Sequence, residues 1–257
     1  DLAGVERAAH AGTLDPKVTG CLPTMLGDAT RLAPVFLEGG KEYIAVLELH
    51  GLPPTDAPAT LAEFEADVYQ KPPRKSAVAR RLRSREIYEL DLLELQDRQA
   101  LLRIRCESGT YIRKLCHDLG LALGTGAHMG DLRRSATGPL DDTDLRTLQD
   151  LADGLAWARE DGSEEFLREV VSPAERAMEH LPAVTIARSA AVEVAEGAPV
   201  YAPGVIELDD AAGALEPGDD DLLACYTPDG SAVCLGKLTG DPDAESGEVV
   251  SLERVLV

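Results

Sequence analysis

The alternation of apolar and polar residues predicts the main elements of the first half of the chain. Residues 42–50 (EYIAVLELH) alternate between apolar and polar positions, which predicts a strand. Residues 87–95 and 100–106 predict two more strands, joined as a hairpin by a polar turn over 96–99. Apolar residues between 111 and 123 recur at helical spacing, so we expect an amphipathic helix that ends at the following Gly-Thr-Gly sequence.

Several other segments have weaker patterns. Residues 51–58 are rich in proline and predict a loop, and residues 61–69 predict a short helix. Acidic helices are expected over 144–159 and 164–171, and residues 173–181 are helix-like.

The last third of the chain has a different pattern. Short runs typical of strands are separated by Gly, Pro and Asp; they cover residues 183–186, 198–201, 222–227, 232–238 and 249–257. We therefore expect a domain boundary near residue 180, between a first domain over 1–180 and a small, mostly β domain over 181–257.

Composition is typical of a globular protein. The chain has 257 residues, 44% of them apolar, and no apolar run approaches the length that crosses a bilayer. We find no signal peptide, and the five cysteines form no C-x-x-C pair, so we expect a cytoplasmic protein whose cysteines are small apolar residues in a reducing compartment. The cysteine spacing also predicts a protein without structural zinc.

The overall charge has two interpretations. The formal net charge is −21, and the six lysines are greatly outnumbered by arginines. Such a charge repels nucleic acid, but it also suits a cytoplasm at high salt, where a Debye length of about 3 Å screens self-repulsion.

The distribution of charge favours the second interpretation. Residues 69–138 carry 14 basic and 8 acidic residues, and the stretch 71–85 (KPPRKSAVARRLRSR) has seven basic residues and no acidic one. A basic segment within so acidic a chain indicates an anionic partner. The alternative is that this segment pairs with carboxylates of the chain itself.

Residues 10–23 (HAGTLDPKVTGCLP) place Asp15 between Leu14 and Pro16 in a segment typical of a shaped loop. Taken alone, an aspartate before a proline is most often a turn residue, whose carboxylate accepts nearby backbone N–H groups.

Several motifs in order give the chain its resemblance to a known family. The loop at 10–23 resembles the catalytic loop of TruB-type RNA pseudouridine synthases, and residues 40–51, 69–88 and 107–140 resemble their dyskerin-like archaeal and eukaryotic branch. Residues 181–205 with GKL at 236–238 resemble a PUA domain, an RNA-binding β-barrel. The acidic, lysine-poor composition fits a haloarchaeal member.

The resemblance implies a fold and an activity. The fold is α+β, with a mixed or antiparallel sheet in the catalytic domain and a small β-barrel PUA domain. The activity is the isomerisation of uridine to pseudouridine in RNA without a cofactor or metal. The implied substrates are the T-loop uridine of tRNA and rRNA targeted by an H/ACA guide RNA, and the implied partners are those RNAs and the small H/ACA ribonucleoprotein proteins, with no membrane.

The resemblance also implies roles for individual residues. Asp15 matches the nucleophile, or the group that starts glycal formation, and Arg113 in GTYIR matches the cation that pairs with it. Tyr43 matches an aromatic residue that stacks on the flipped base. His10, Tyr111 and Leu132 match substrate-binding positions. Without the resemblance, Tyr43 would be interpreted as a core tyrosine and Arg113 as a surface arginine.

The basic segment would contact RNA phosphates. The residues expected to do so are Lys71, Lys75, Arg80, Arg81, Arg83 and Arg85. At high salt the release of counterions contributes little, so stacking and hydrogen bonding matter more, and these suit Arg better than Lys.

Two rival functions stay open. Family members carry a first strand and a Lys-Pro-x-Gly motif ahead of the catalytic loop, and this sequence begins without them, so we expect an N-terminally truncated chain. If so, it is alternatively a non-catalytic RNA-binding scaffold. A glycosidase that uses a lone aspartate is the other rival, although such enzymes usually need a second carboxylate, which residues 10–23 lack.

Overall fold

A computed structural model describes residues 2–72, 79–209 and 215–257, and the chain divides into two compact units. The central unit comprises His10–Thr24 and Phe36–Arg146; the terminal unit comprises Asp1–Ala9, Met25–Val35 and Thr147–Val257. The strands, numbered in chain order, are β1 (Ala8–His10), β2 (Thr19–Gly20), β3 (Thr24–Leu26), β4 (Lys41–Leu49), β5 (Asp67–Gln70), β6 (Arg83–Gln96), β7 (Gln99–Cys106), β8 (Ala127–Thr137), β9 (Leu140–Asp141), β10 (Ala183–Ile186), β11 (Val200–Tyr201), β12 (Val205–Asp209), β13 (Leu222–Tyr226), β14 (Ala232–Leu238) and β15 (Glu248–Val255). The α-helices are α1 (Ala33–Glu38), α2 (Ala57–Ala62), α3 (Ile112–Ala122), α4 (Leu148–Glu160), α5 (Glu165–Val170) and α6 (Arg188–Ala195).

The central unit is built on a sheet in the order β2-β8-β4-β7-β6-β5, with β9 paired to β8. The pairs are antiparallel except β2 with β8, which run parallel. Register places Tyr43 on β4 between Ile104 on β7 and Arg134 on β8. Strand β4 therefore lies inside the sheet, with neighbours on both sides.

The core of the central unit forms where α3 packs on this sheet. The helix buries Ile112, Leu115, Cys116 and Leu119, which recur at helical spacing and so share one face. A Cβ atom on Gly120 would lie 2.1 Å from the backbone nitrogen of Ala127. Glycine at this position therefore lets the chain turn back from α3 directly into β8.

The terminal unit contains a second sheet in the order β11-β15-β14-β13-β10-β12, in which only the pair β10–β13 is parallel. Apolar residues of its strands and of α6 form a separate core that includes Val184, Val194, Leu223 and Val250. Cys225 and Cys234 face each other across β13 and β14 within this core.

Most of the predicted elements are confirmed. They include the strand now seen as β4, the β6–β7 hairpin, the amphipathic helix α3 and the strands β10, β13 and β14. Both units combine helices with sheets, which confirms the predicted α+β class. All five cysteines are buried and free, as expected of small apolar residues.

Other predictions were wrong. The helix expected over 61–69 begins and ends earlier, as α2, and residues Asp67–Gln70 form β5 because they pair with β6. The helix-like stretch 173–181 contains only a 3₁₀ turn at Ala174–Ala177. Strands β8 and β12 and helix α6 were not predicted. Strand β8 was missed because its residues do not alternate strictly, and two bulges against β4 shift its register.

In the part of the chain that the structure describes, every helix is too short or too polar to cross a membrane.

Candidate active site

A cavity of about 310 Å³ opens in the central unit where four segments meet: the Asp15 loop, the start of β4, the start of α3 and strand β8. Its charged and aromatic lining residues are Asp15, Lys41, Tyr43, Tyr111, Arg113 and Arg134. Leu14, Met129 and Leu132 add apolar walls. The cavity thus combines one carboxylate with three cations and two aromatic rings.

Asp15 and Arg113 form an ion pair in this cavity. The Arg113 guanidinium donates through Nη2 to Asp15 Oδ2. The two side chains are 52% and 51% exposed, so both remain open to a substrate. The Asp15 backbone carbonyl accepts a hydrogen bond of 3.0 Å from the Val18 N–H, and this turn presents the carboxylate toward the start of α3.

The start of α3 brings Tyr111 and Arg113 to the cavity. Tyr111 is the extended N-cap residue, with φ −94° and ψ 97°, and Arg113 lies in the first turn. The unsatisfied N–H groups of a first turn give it a partial positive charge, which favours a nearby carboxylate. The start of α3 therefore presents positive charge to the same cavity as the Arg113 side chain.

The buried side chain of Gln70 fixes this helix start. Its Nε2 donates to the Tyr111 carbonyl at 3.3 Å, and its Oε1 accepts from the Tyr111 N–H at 2.8 Å. Gln70 is 2% exposed and is the last residue of β5. A single amide thus bonds both backbone groups of Tyr111, whose carbonyl also accepts from the Lys114 and Leu115 N–H groups of α3. It connects β5, the strand that precedes the basic segment, to the cavity.

Gln70→Glu is expected to lower activity in a pH-dependent way. An ionised carboxylate accepts from the Tyr111 N–H but cannot donate to its carbonyl, whereas a protonated carboxyl does both. Burial favours the protonated form. We expect a loss of about tenfold near pH 8 that shrinks as the pH falls toward 6, measured as the rate relative to wild type.

The control for this prediction is Gln96→Glu, which makes the same change at an exposed position on the hairpin. A loss in Gln70→Glu that is equal at every pH would contradict the role of its amide as a donor.

A buried arginine holds both ends of the Asp15 loop. Arg134 on β8 is 2% exposed; its Nε donates to the Cys21 carbonyl at 2.7 Å and its Nη2 to the Gly12 carbonyl at 2.9 Å. The Arg134 carbonyl in turn accepts from the Cys21 N–H at 2.7 Å. Because these contacts fall on both sides of Asp15, they fix the loop relative to the sheet.

Gly20 is required for this docking. Its φ is +102°, and a Cβ atom would lie 2.1 Å from the Arg134 carbonyl oxygen. Any side chain at this position would push β2 away from β8 and break the Cys21–Arg134 hydrogen bond.

Gly20→Ala is expected to destabilise the protein by about 1–3 kcal/mol more than Gly218→Ala. Gly218 has almost the same φ, +101°, but a Cβ atom there would have no described atom within 4 Å, so it carries the same conformational penalty without the clash. Chemical denaturation of both variants measures the difference, and equal losses would show that the close approach to Arg134 contributes nothing.

Strand β4 delivers Lys41 and Tyr43 to the cavity. The period of two places both on the core-facing side of the strand. Lys41 is 6% exposed; its Nζ donates to the Phe36 carbonyl at 2.7 Å and also to the Gly39 carbonyl. Burial, helped by the nearby Arg134 charge, lowers the pKa of Lys41 to about 8. Burial raises the pKa of the Tyr43 hydroxyl, and Arg134 offsets part of that rise.

Comparisons with known proteins decide the family. Residues 1–57 match the model of the N-terminal domain of TruB family pseudouridylate synthases, and residues 113–179 match the model of the C-terminal domain of tRNA pseudouridylate synthase B. A protein of Halobacterium salinarum named probable tRNA pseudouridine synthase B is 66% identical over the whole of this chain and 87% of its own length. The chain belongs to the TruB family of pseudouridine synthases. The predicted resemblance is confirmed.

Solved structures agree with this membership. A chain in the crystal structure of a Cbf5–Nop10–Gar1 complex is 43% identical, with a TM-score of 0.91 over all of this chain and 78% of that one. A chain in the structure of an H/ACA ribonucleoprotein bound to a substrate RNA containing 2′-deoxyuridine is 40% identical, with a TM-score of 0.87 over all of this chain and 78% of that one. The fold of these proteins is thus shared along the whole of this chain.

The structure brings together five of the residues that the sequence predicted for the site. Asp15, Tyr43, Tyr111, Arg113 and Leu132 all line the cavity. His10 is exposed at the end of β1 and is not among the described residues that line it.

The predicted RNA-binding residues lie along the segment that joins β5 to β6 and along β6 itself. Lys71, Arg80, Arg81 and Arg83 are exposed. Arg85 differs, because it forms an ion pair of 2.9 Å with Glu107. Lys75 lies outside the described residues.

Sequence reasoning missed three residues of the site. Lys41, Gln70 and Arg134 were not proposed as functional, although each is polar, nearly fully buried and in or beside the cavity. Lys41 and Gln70 stand at strand ends, where polar residues are common. Of the three, only Lys41 could have been recognised from the sequence, since it is a lysine at a position of the strand where the alternation expects an apolar residue.

Among the described residues, no three His, Cys, Asp or Glu side chains are grouped as metal ligands are.

Proposed function

We propose that this protein isomerises uridine to pseudouridine in RNA, acting on the T-loop uridine of tRNA and, with a guide RNA, on rRNA. The observation that carries the proposal is the Asp15–Arg113 ion pair at the rim of a cavity with aromatic and apolar walls. A flipped base needs such a pocket, because it must replace the stacking it leaves. The names of the relatives support the reaction.

Asp15 starts the reaction at the sugar. Its carboxylate attacks C1′, or removes a proton to form a glycal, as the C1′–N1 bond breaks. Arg113 orients the carboxylate through the ion pair that the two side chains form. The uracil then turns within the cavity, and its C5 bonds to C1′ as the C1′–O bond to Asp15 breaks or, on the glycal route, as Asp15 returns the proton to C2′. The C5 proton is then exchanged for one on N1.

The walls of the cavity hold the base while it is detached. Tyr43 stacks on the uracil, and Leu132 and Tyr111 close the pocket around it. His10, which is exposed at the end of β1, enters the space that the base vacates in the RNA.

The cations that follow β5 in the sequence contact the RNA backbone. Lys71, Lys75, Arg80, Arg81 and Arg83 bind phosphates, and Arg85 does so in competition with Glu107. By function, we divide the chain near residue 180. The catalytic domain, residues 1–180, contains the whole central unit as well as residues 147–180, which cluster with the terminal unit. Residues 181–257, which contain the second sheet, act as a PUA domain that binds the end of a guide RNA or tRNA.

The partners follow from the related complexes. Structures that contain Cbf5 with Nop10 and Gar1, and an H/ACA ribonucleoprotein with substrate RNA, match this chain over its full length. We infer that it assembles with guide RNA and small proteins of the same kind, in the cytoplasm.

A tritium-release assay tests the proposal. The protein is incubated at molar KCl with tRNA labelled at C5 of uridine, alone and with guide RNA and the small partner proteins. Release of tritium together with pseudouridine in digests of the RNA is the expected result. Binding of RNA without product in both conditions would contradict the proposal and favour a non-catalytic scaffold.

A further inference from the structure

The charges that line the cavity do not balance. Arg113 is paired with Asp15, but Lys41 and Arg134 lie deeper, at 6% and 2% exposure, with no carboxylate among their described hydrogen-bond partners. The chain as a whole is strongly acidic, with a net charge of −21. Two buried cations are therefore kept here at a cost in desolvation, which points to an anion that occupies the cavity.

The two cations share one wall of the cavity. A Cβ atom on Gly12 would lie 3.0 Å from Arg134 Nη1 and 3.9 Å from Lys41 Cε. Both cations therefore border the Asp15 loop three residues before the carboxylate. Gly12 itself has φ +79° and lets the loop backbone approach them this closely.

Neutral groups surround the two cations. Arg134 donates to the carbonyls of Gly12 and Cys21, and Lys41 donates two of its three protons to the carbonyls of Phe36 and Gly39. The Cys106 thiol, opposite Lys41 on β7, has a pKa raised by burial to about 12 and stays neutral, as does Tyr43. In the described structure, Asp15 is the carboxylate that shares the cavity with Lys41 and Arg134, and it already forms an ion pair with Arg113.

The burial of Lys41 and Arg134 limits which anionic group of an RNA substrate can reach them. A phosphodiester stays at the surface with its water, whereas the base is the part of the nucleotide that enters a pocket. The anion must therefore form on the base.

The proposed reaction creates such an anion. When the C1′–N1 bond breaks, Asp15 supplies the new bond at C1′ or removes the C2′ proton, and the electron pair of the broken bond stays on uracil N1. The negative charge spreads over N1, O2 and O4. When C5 bonds to C1′, the C1′–O bond to Asp15 breaks and returns the negative charge to the carboxylate; on the glycal route, Asp15 returns its proton to C2′ instead. The C5 proton then leaves and N1 is protonated, which completes the product.

We propose that the Lys41 ammonium, supported by the Arg134 guanidinium, is an electrostatic catalyst that stabilises the detached uracil anion. This inference rests on the proposed function and adds a catalytic residue to it. The charge exists only after the bond has begun to break, so Lys41 stabilises the transition state more than the bound substrate. The lowered pKa of Lys41 agrees, because an anion beside it would restore the charged form.

Three variants test the inference in the full-length protein with the RNA substrate of the tritium assay. Lys41→Met removes the charge and keeps the length of the side chain, Lys41→Arg keeps the charge, and Lys114→Met is the matched control on α3, where Lys114 pairs with Asp118. Single-turnover rates at saturating enzyme are measured between about pH 6 and 10, with the RNA Kd and the Tm of each variant.

Lys41→Met is expected to lower the single-turnover rate by about 100-fold, with the Kd for RNA within about twofold of wild type. The wild-type rate is expected to fall above a pH near the Lys41 pKa of about 8, and this alkaline limb should move to higher pH in Lys41→Arg. Lys114→Met should match wild type.

Three results would overturn the inference. They are a Lys41→Met rate equal to wild type, an alkaline limb that is unchanged in Lys41→Arg, and a loss confined to the RNA Kd, which would assign Lys41 to phosphate binding. If Lys41→Met does not fold, the pH profile of Lys41→Arg still tests the inference, because it shows whether the alkaline limb depends on residue 41. A wild-type protein that forms no product would overturn the proposed function and this inference with it.

Discussion

Asp15→Asn is expected to abolish pseudouridine formation, with a loss of about 10⁴-fold or more, while RNA binding stays within about twofold of wild type. The amide keeps the shape of the side chain but has no negative oxygen to attack C1′ or to remove a proton. The side chain is half exposed, so the change leaves the core untouched. Tritium release measures the chemistry, and a filter-binding assay measures the affinity for RNA.

The control for Asp15→Asn is Asp91→Asn. Asp91 forms an ion pair of 2.7 Å with Arg103 on the sheet, and the two side chains are 41% and 45% exposed, close to the values for Asp15 and Arg113. The same chemical change there should leave activity at the wild-type level. If Asp15→Asn kept more than a few per cent of the wild-type rate, the carboxylate would not be the reacting group.

Arg113→Met is expected to lower the rate by about 10²–10³-fold, the usual loss when one charged partner is removed from the reacting atoms. Without the guanidinium, the Asp15 carboxylate loses the hydrogen-bond partner that orients it and the positive charge beside it. Arg113→Lys should recover part of the loss, because an ammonium restores the charge but not the planar fork of the guanidinium.

The control for Arg113→Met is Arg105→Met, which removes an exposed ion pair of 2.7 Å with Glu89. A double variant makes the test sharper. If Arg113 acts through Asp15, adding Arg113→Met to Asp15→Asn should cause little further loss. Additive losses would mean that Arg113 acts on the RNA independently of Asp15.

Elements that follow a strict local pattern could be predicted from the sequence. Strand β4 and helix α3 each bury one face, and a buried face imposes a period of two or 3.6 on the chain. Strand β8 could not be predicted this way, because bulges break its alternation and its Arg134 is polar although buried. Similarly, β5 becomes a strand through its pairing with β6, which follows it by more than ten residues.

The same distinction between local and distant interactions applies to the residues of the site. Residues with a motif around them, Asp15, Tyr43, Tyr111, Arg113 and Leu132, could be predicted from the sequence and do line one cavity. Residues whose role depends on a distant backbone group could not. Arg134 binds the carbonyl of Gly12, 122 positions away, and Gln70 binds the backbone of Tyr111, 41 positions away.

The family, the α+β class and the aspartate loop are predictable from the sequence, because motif order and side-chain periodicity are local properties of the chain. Two features of the site emerge only from the folded structure: a buried arginine binds the loop backbone on both sides of Asp15, and a lysine at the start of β4 lies in the cavity with its charge unbalanced. They do so because burial and electrostatic balance depend on which groups surround a side chain in space. Segments that are far apart in the sequence supply those groups.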